Sequence, residues 1–172
     1  GADSWDEVYE NEDYEYGYGL DLVYIGNFIV GKRGYLEEAW NYEYYDEDGN
    51  WIWEYDLVIP EGTTGIANWL FADMPITSVT IPGSIKTIPF WAFSGSYIKD
   101  LILDEGVEEI DSVAFYGCES LRSVILPSTV KNVRDDAFGD CENLKNVTFK
   151  SEDIVFDARA FRVCIPIGEP NE

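Results

Sequence analysis

From residue 56 onward the apolar positions of this 172-residue chain recur with a fixed period. Phe71, Phe93, Phe115, Phe138 and Phe161 are spaced 22, 22, 23 and 23 residues apart. Four of them follow an alanine (Ala92, Ala114, Ala137 and Ala160), and Leu70 precedes the first. Eleven residues before each Phe stand Pro60, Pro82, Asp104, Pro127 and Lys150. Counted from that position, the residues one earlier are Ile59, Ile81, Leu103, Leu126 and Phe149, and those three earlier are Leu57, Val79, Leu101, Val124 and Val147. Three and six residues later come Thr63, Ile85, Val107, Val130 and Asp153, then Ile66, Ile88, Ile110, Val133 and Phe156. Ile76, Ile98, Leu121 and Leu144 open each following strand. The last unit slips at Asp153, where Ile154 or Val155 is expected to take over.

Each V-x-I step is a period-two strand. Proline ends it because it cannot donate to a ladder, and Gly or Ser beside it makes a turn. A unit of about 22 residues cannot bury its own apolar side, so units must stack, strand on strand at about 4.8 Å, into a solenoid. Five coils at that spacing span only about 24 Å. Both ends of so short an array need covering.

The frame I-P-x-x-V-x-x-I-x-x-x-A-F-x-x-C-x-x-L resembles the BspA-type, or Treponema-type, leucine-rich repeat of bacterial surface proteins, over about two thirds of the chain. Departures are Leu70 for Ala, Met74 and Ser96 for Cys, Asp104 and Lys150 for Pro, and the slip at Asp153. The resemblance implies a right-handed α/β or mostly-β array of about five coils, secreted or attached to a bacterial surface. It also implies adhesion to proteins of a host or neighbouring cell.

The first 55 residues do not repeat. They hold 10 of the 12 tyrosines, 4 of the 6 tryptophans, 15 acids and 2 bases. From Trp51 the chain alternates through Trp53, Tyr55 and Leu57 to Ile59, extending the first repeat strand backwards. Trp40, Tyr42 and Tyr44 offer a partner strand across a turn at residues 46–50. A second hairpin is expected at Val23–Val30, closed by Gly26 and Asn27. Residues 1–19 read as an acidic, tyrosine-rich segment that is either a tail or a short helix with a Ser4–Glu7 capping box. Residues 20–55 read as a β-hairpin cap, 56–166 as the solenoid and 167–172 as a C-terminal tail. The rings either cover the open end of the first coil or form a platform that stacks on sugars or peptides.

Charge and composition narrow the functions. With 11 Lys and Arg against 34 Asp and Glu the net charge is −23, which argues against nucleic acid and anionic membranes as partners. No histidine is present, so Ser-His-Asp and Cys-His catalysis and His-ligated metals are excluded. No apolar stretch is long enough for a membrane helix, and no secretion signal precedes the first coil in the chain as given. Cys118, Cys141 and Cys164 occupy one repeat column behind Met74 and Ser96, and read as free, buried core thiols. Asp46, Asp48 and Asn50 fail as a calcium loop because Tyr44 and Tyr55 fall at its first and last ligand positions. Asp104, Glu105, Glu108, Glu109 and Asp111 read as solvated surface, with weak calcium binding left open.

Two surfaces are candidates for binding. The outward column of the long strands is Val58, Thr80, Ile102, Ile125 and Thr148, β-branched throughout. Ile102 and Ile125 are expected side by side, flanked by Asp100 and Ser123, as a small apolar patch with a polar rim. On the convex side Trp69 and Trp91 are expected as neighbours with Phe90 beside them, either a ligand platform or the seat of the aromatic cap. The expected function is a non-enzymatic binding and adhesion module for a protein ligand, without cofactor or metal. The alternative is a carbohydrate-binding module using the exposed aromatics, Trp69 and Trp91 of the Trp69, Phe90 and Trp91 patch together with rings of the first 55 residues. A carboxylate glycosidase is a remote third reading.

Overall fold

The structure, a computed structural model, describes residues 21–33 and 55–164. The Trp40–Tyr44 partner strand, the turn at 46–50, the helix or tail at 1–19 and the C-terminal tail lie outside those residues. Within them the elements are strands and turns, so the convex wall is built of turns.

Each coil contributes one longer and one two-residue strand. The longer strands are β3 (Tyr55–Val58), β5 (Ile76–Ile81), β7 (Asp100–Leu103), β9 (Ser123–Leu126) and β11 (Asn146–Phe149). The short ones are β4 (Gly65–Ile66), β6 (Thr87–Ile88), β8 (Glu109–Ile110), β10 (Asn132–Val133) and β12 (Val155–Phe156). The pairings between coils are parallel and, apart from Tyr55↔Ile76 at a bulge, join equivalent repeat positions, for example Leu57↔Val79↔Leu101 and Glu109↔Asn132↔Val155. The solenoid is therefore β-rich, with five strand pairs and four coil-to-coil steps.

The predicted columns are the core. Phe71, Phe93, Phe115 and Phe138 are fully buried and stack with Phe161 as a ladder whose centroids lie 5.2–5.4 Å apart. Burial of each such ring is worth about 3–5 kcal/mol by the cost of truncation to Ala. The backbone N–H groups of Phe71, Phe93, Phe115 and Phe138 donate to the carbonyl of the next coil's alanine at 2.8–2.9 Å, and those alanines are buried. Thr63, polar within an apolar column, satisfies its hydroxyl on the Pro60 carbonyl at 2.7 Å. At the slip, Ile154 takes the core position and Val155 points outward.

One expectation needs correction. The long-strand sheet is not continuous: β3, β5 and β7 form one sheet, β9 and β11 another, and no ladder joins β7 to β9. Leu101, in the strand without its next partner, is half-buried where Val79 and Val124 are buried. The short strands β6 to β12 pair without interruption across the same step.

The hairpin comprises β1 (Asp21–Ile25) and β2 (Phe28–Arg33), with Ile25 opposite Phe28 and Gly26 at φ 59° in the two-residue loop. Glycine at the first loop position suits the primed turns that match strand twist. The hairpin adds to the short-strand row, β2 lying parallel to β4 with Ile29 against Ile66. Ile29 is fully buried, and the Lys32 ammonium donates to the Leu70 carbonyl at 2.7 Å and contacts Met74 Sδ at 3.1 Å. It thus covers the first coil on that side.

Candidate functional site

Residues at alternating positions of β5, β7, β9 and β11 turn outward because their neighbours are held in the core. Thr80, Asp100, Ile102, Ser123, Ile125 and Thr148 are all exposed on this one face, with Ile102 and Ile125 uncovered to 55% and 53%. Val58, Thr80 and Ile102 are in direct register, as are Ile125 and Thr148. Ile102 and Ile125 hold equivalent positions but face each other across the β7–β9 break instead of along a ladder.

Lys99, Arg122 and Lys145 were not singled out from the sequence as part of this face. Each immediately precedes an outward residue (Asp100, Ser123, Asn146) and is exposed, so a basic column borders the apolar one. The backbone N–H of Lys145 donates to the Arg122 carbonyl at 3.0 Å, which sets those two on successive coils. The signal was present, since the three share one repeat position in a chain with only 11 bases.

On the convex wall Trp69 and Trp91 stack at 4.2 Å and 21°, and Phe90 meets Trp69 edge-on at 5.7 Å. Trp69 is 52% exposed and Trp91 half-buried. Both sit in the left-handed region (φ 64° and 59°), as do Val113 and Asp136 at the same repeat position. The conformation is therefore imposed by the coil and is not peculiar to the tryptophans. The inner ring faces cover each other, leaving the edges and the outer side of Trp69 to solvent.

Cys118, Cys141 and Cys164 are free thiols; the first two are buried, while Cys164 is half-buried, in contrast to the expectation for it. Their thiols donate to the carbonyls of Phe93, Phe115 and Phe138 at 3.3, 3.1 and 3.0 Å. Burial pushes the Cys164 pKa up to about 11. The hydrogen bond with the Cys118 side chain, and then burial, push Cys141 higher still. Such thiols are poor nucleophiles at neutral pH.

The acidic run does not converge. Glu105 accepts from the Ser128 hydroxyl and N–H at 2.8 and 3.2 Å, which lowers its pKa. Glu108 pairs with Lys131 at 2.7 Å and Glu109 with Arg134 at 2.8 Å. Among the described residues no group of three Cys, Asp or Glu side chains is placed to hold a metal ion.

Comparison with known proteins matches residues 55–168 to the BspA type leucine rich repeat region, in six copies. The chain belongs to the BspA-type leucine-rich repeat family. No curated protein matches it. A crystal structure of a leucine rich cell surface protein from Faecalibacterium prausnitzii A2-165 is 21% identical, with a TM-score of 0.38, over 64% of this chain and 38% of that one. This chain thus spans 38% of that protein's length.

In this BspA-type array the acids of one coil meet the bases of the next. Arg159 pairs with Asp135, and Arg162 reaches the buried Asp136 at 2.8 Å. Tyr116 donates to Asp140, which raises the tyrosine's pKa. These rows tie the third to fifth coils together and leave the outward column of the long strands unobstructed.

Proposed function

We propose that this BspA-type repeat protein is a non-enzymatic binding module displayed outside a bacterial cell, engaging a protein ligand through the long-strand face. The observation that carries this is the exposed β-branched column with Ile102 and Ile125 more than half uncovered. Exposed apolar side chains rimmed by polar and charged ones provide a desolvatable centre and an orienting edge, as protein interfaces require. The fixed core columns allow such a face to vary without loss of fold. A glycan-binding reading is favoured by one observation, the open edge and outer side of Trp69 in its stacked pair.

One experiment with two arms tests both. The intact chain is presented to a panel of purified cell-surface and extracellular-matrix proteins and, in parallel, to a glycan array. Changing Ile102 and Ile125 together to Asp is expected to weaken protein binding at least about tenfold, a loss of about 1.4 kcal/mol, with the thermal transition unmoved. Protein binding that survives the double change places the contact elsewhere. A glycan response that disappears in Trp91→Ala assigns the function to the aromatic side.

A further inference from the structure

We propose that Arg122 and Lys145, at the rim of the long-strand face, select a protein ligand that presents a short acidic stretch beside an apolar side chain. This rests on the reading of that face as the contact surface and adds the chemistry of the partner. Acids outnumber bases 34 to 11 in this chain, so nearly every base has an acid to meet. Lys131, Arg134, Lys150, Arg159 and Arg162 each meet a carboxylate of an earlier coil. Arg122 and Lys145 are exposed and pair with no carboxylate among the described residues, although Glu119 and Glu142 stand three residues before them.

Placement gives the two cations a shared target. The Lys145 N–H on the Arg122 carbonyl at 3.0 Å sets them on successive coils, about 4.8 Å apart at the backbone. Ile125 lies three residues beyond Arg122, about 10 Å along the strand. The exposed residues of β9 and β11 on this face, Ser123, Ile125, Asn146 and Thr148, are uncharged, whereas the earlier coils place Asp56 and Asp100 in the Ser123 column. An acidic segment therefore meets like charge over β3 and β7 and opposite charge at the rim of β9 and β11, which fixes its direction on the face. Charge also limits its length. A long polyanion, such as a sulfated glycan, extends past two cations and meets the field of a molecule at −23. A short acidic stretch within a protein avoids that field and brings an apolar side chain to the isoleucines.

Short fluorescent peptides with an Ile-Val centre and flanking Glu are titrated with the intact chain, beside versions carrying Gln or Lys for Glu, and beside heparin. The Glu peptide is expected to bind at least about tenfold more tightly than the Gln peptide. Arg122→Glu with Lys145→Glu is expected to abolish that preference and favour the Lys peptide, with the thermal transition unmoved. Arg122→Lys with Lys145→Arg is expected to keep it. Glu and Gln peptides bound alike, and both lost in Ile102→Asp with Ile125→Asp, overturn the acidic partner and leave the face standing. A Glu preference that survives the isoleucine changes and disappears with the cations supports the cation pair and overturns the face. No peptide bound, or heparin bound as tightly as the Glu peptide, overturns the proposal.

Discussion

The position three residues after each Phe shows how one hydrogen bond chooses a side chain. Ser96, Cys118, Cys141 and Cys164 each donate to the Phe carbonyl of the coil before, at 3.0–3.3 Å. Only small donors fit there. Met74 stands in the first coil, where no earlier Phe carbonyl awaits a donor, and its sulfur instead meets the Lys32 ammonium. The cysteines are thus interchangeable with serine in their bonding role, which explains their spacing without any redox chemistry. A bulky maleimide applied to the native protein is expected to label Cys164 alone, and slowly. Because the reactive form is the thiolate and the Cys164 pKa is raised to about 11, its rate should climb about tenfold per pH unit up to that value. Rapid labelling of Cys118 and Cys141 at neutral pH would show that the column is not sealed.

At the scale of elements, coil length decides how strands meet. The first two steps between phenylalanines are 22 residues and the next two 23, the extra residue lying between Cys118 and Leu121. The long-strand ladder breaks at this change, between β7 and β9, although the short strands stay paired. Just before the break, Gly83 and Gly106 bring two coils into backbone contact: a methyl on Gly83 would overlap the Glu105 carbonyl oxygen, and Gly106 has φ 118°. Gly83→Ala must push these coils apart, and is expected to cost about 2–4 kcal/mol in chemical denaturation. A loss under about 0.5 kcal/mol would mean the turn yields freely. The period, the core columns and the Gly26–Asn27 hairpin were legible because each is a spacing or a turn residue. The ladder break was not, because side-chain columns align whether or not the backbones between them bond. Nor was the 40% exposure of Phe149 and Phe156, since a residue type fixes its place in a core column but not how closely its neighbours pack around it. The left-handed tryptophans ran against residue preference, which Gly95 and Gly117 in the neighbouring turn column follow.

For the whole molecule, the balance lies between self-repulsion at −23 and the ion-pair rows of the later coils. Those pairs are largely exposed, and exposed pairs contribute roughly 0–1 kcal/mol each. Repulsion acts over the full surface, and at 0.01 M salt its range is about 30 Å, longer than the stack of coils. Raising salt from about 0.01 to about 0.5 M is therefore expected to raise the thermal midpoint, because it shortens that range below 10 Å. Acid acts in two stages. Between pH 7 and about 5 the first carboxylates to protonate relieve repulsion and the midpoint should rise. Glu105, Glu108 and Asp135 have pKa values lowered by Ser128, Lys131 and Arg159 respectively. Their stabilisation is present above the ordinary carboxylate values and is lost as pH falls through the lowered ones. Below about pH 4 the midpoint should therefore fall again. Midpoints measured across salt and pH by differential scanning calorimetry check this ordering. A midpoint that drops as salt is added at pH 7 would mean that the paired rows between coils outweigh the repulsion of the acidic surface.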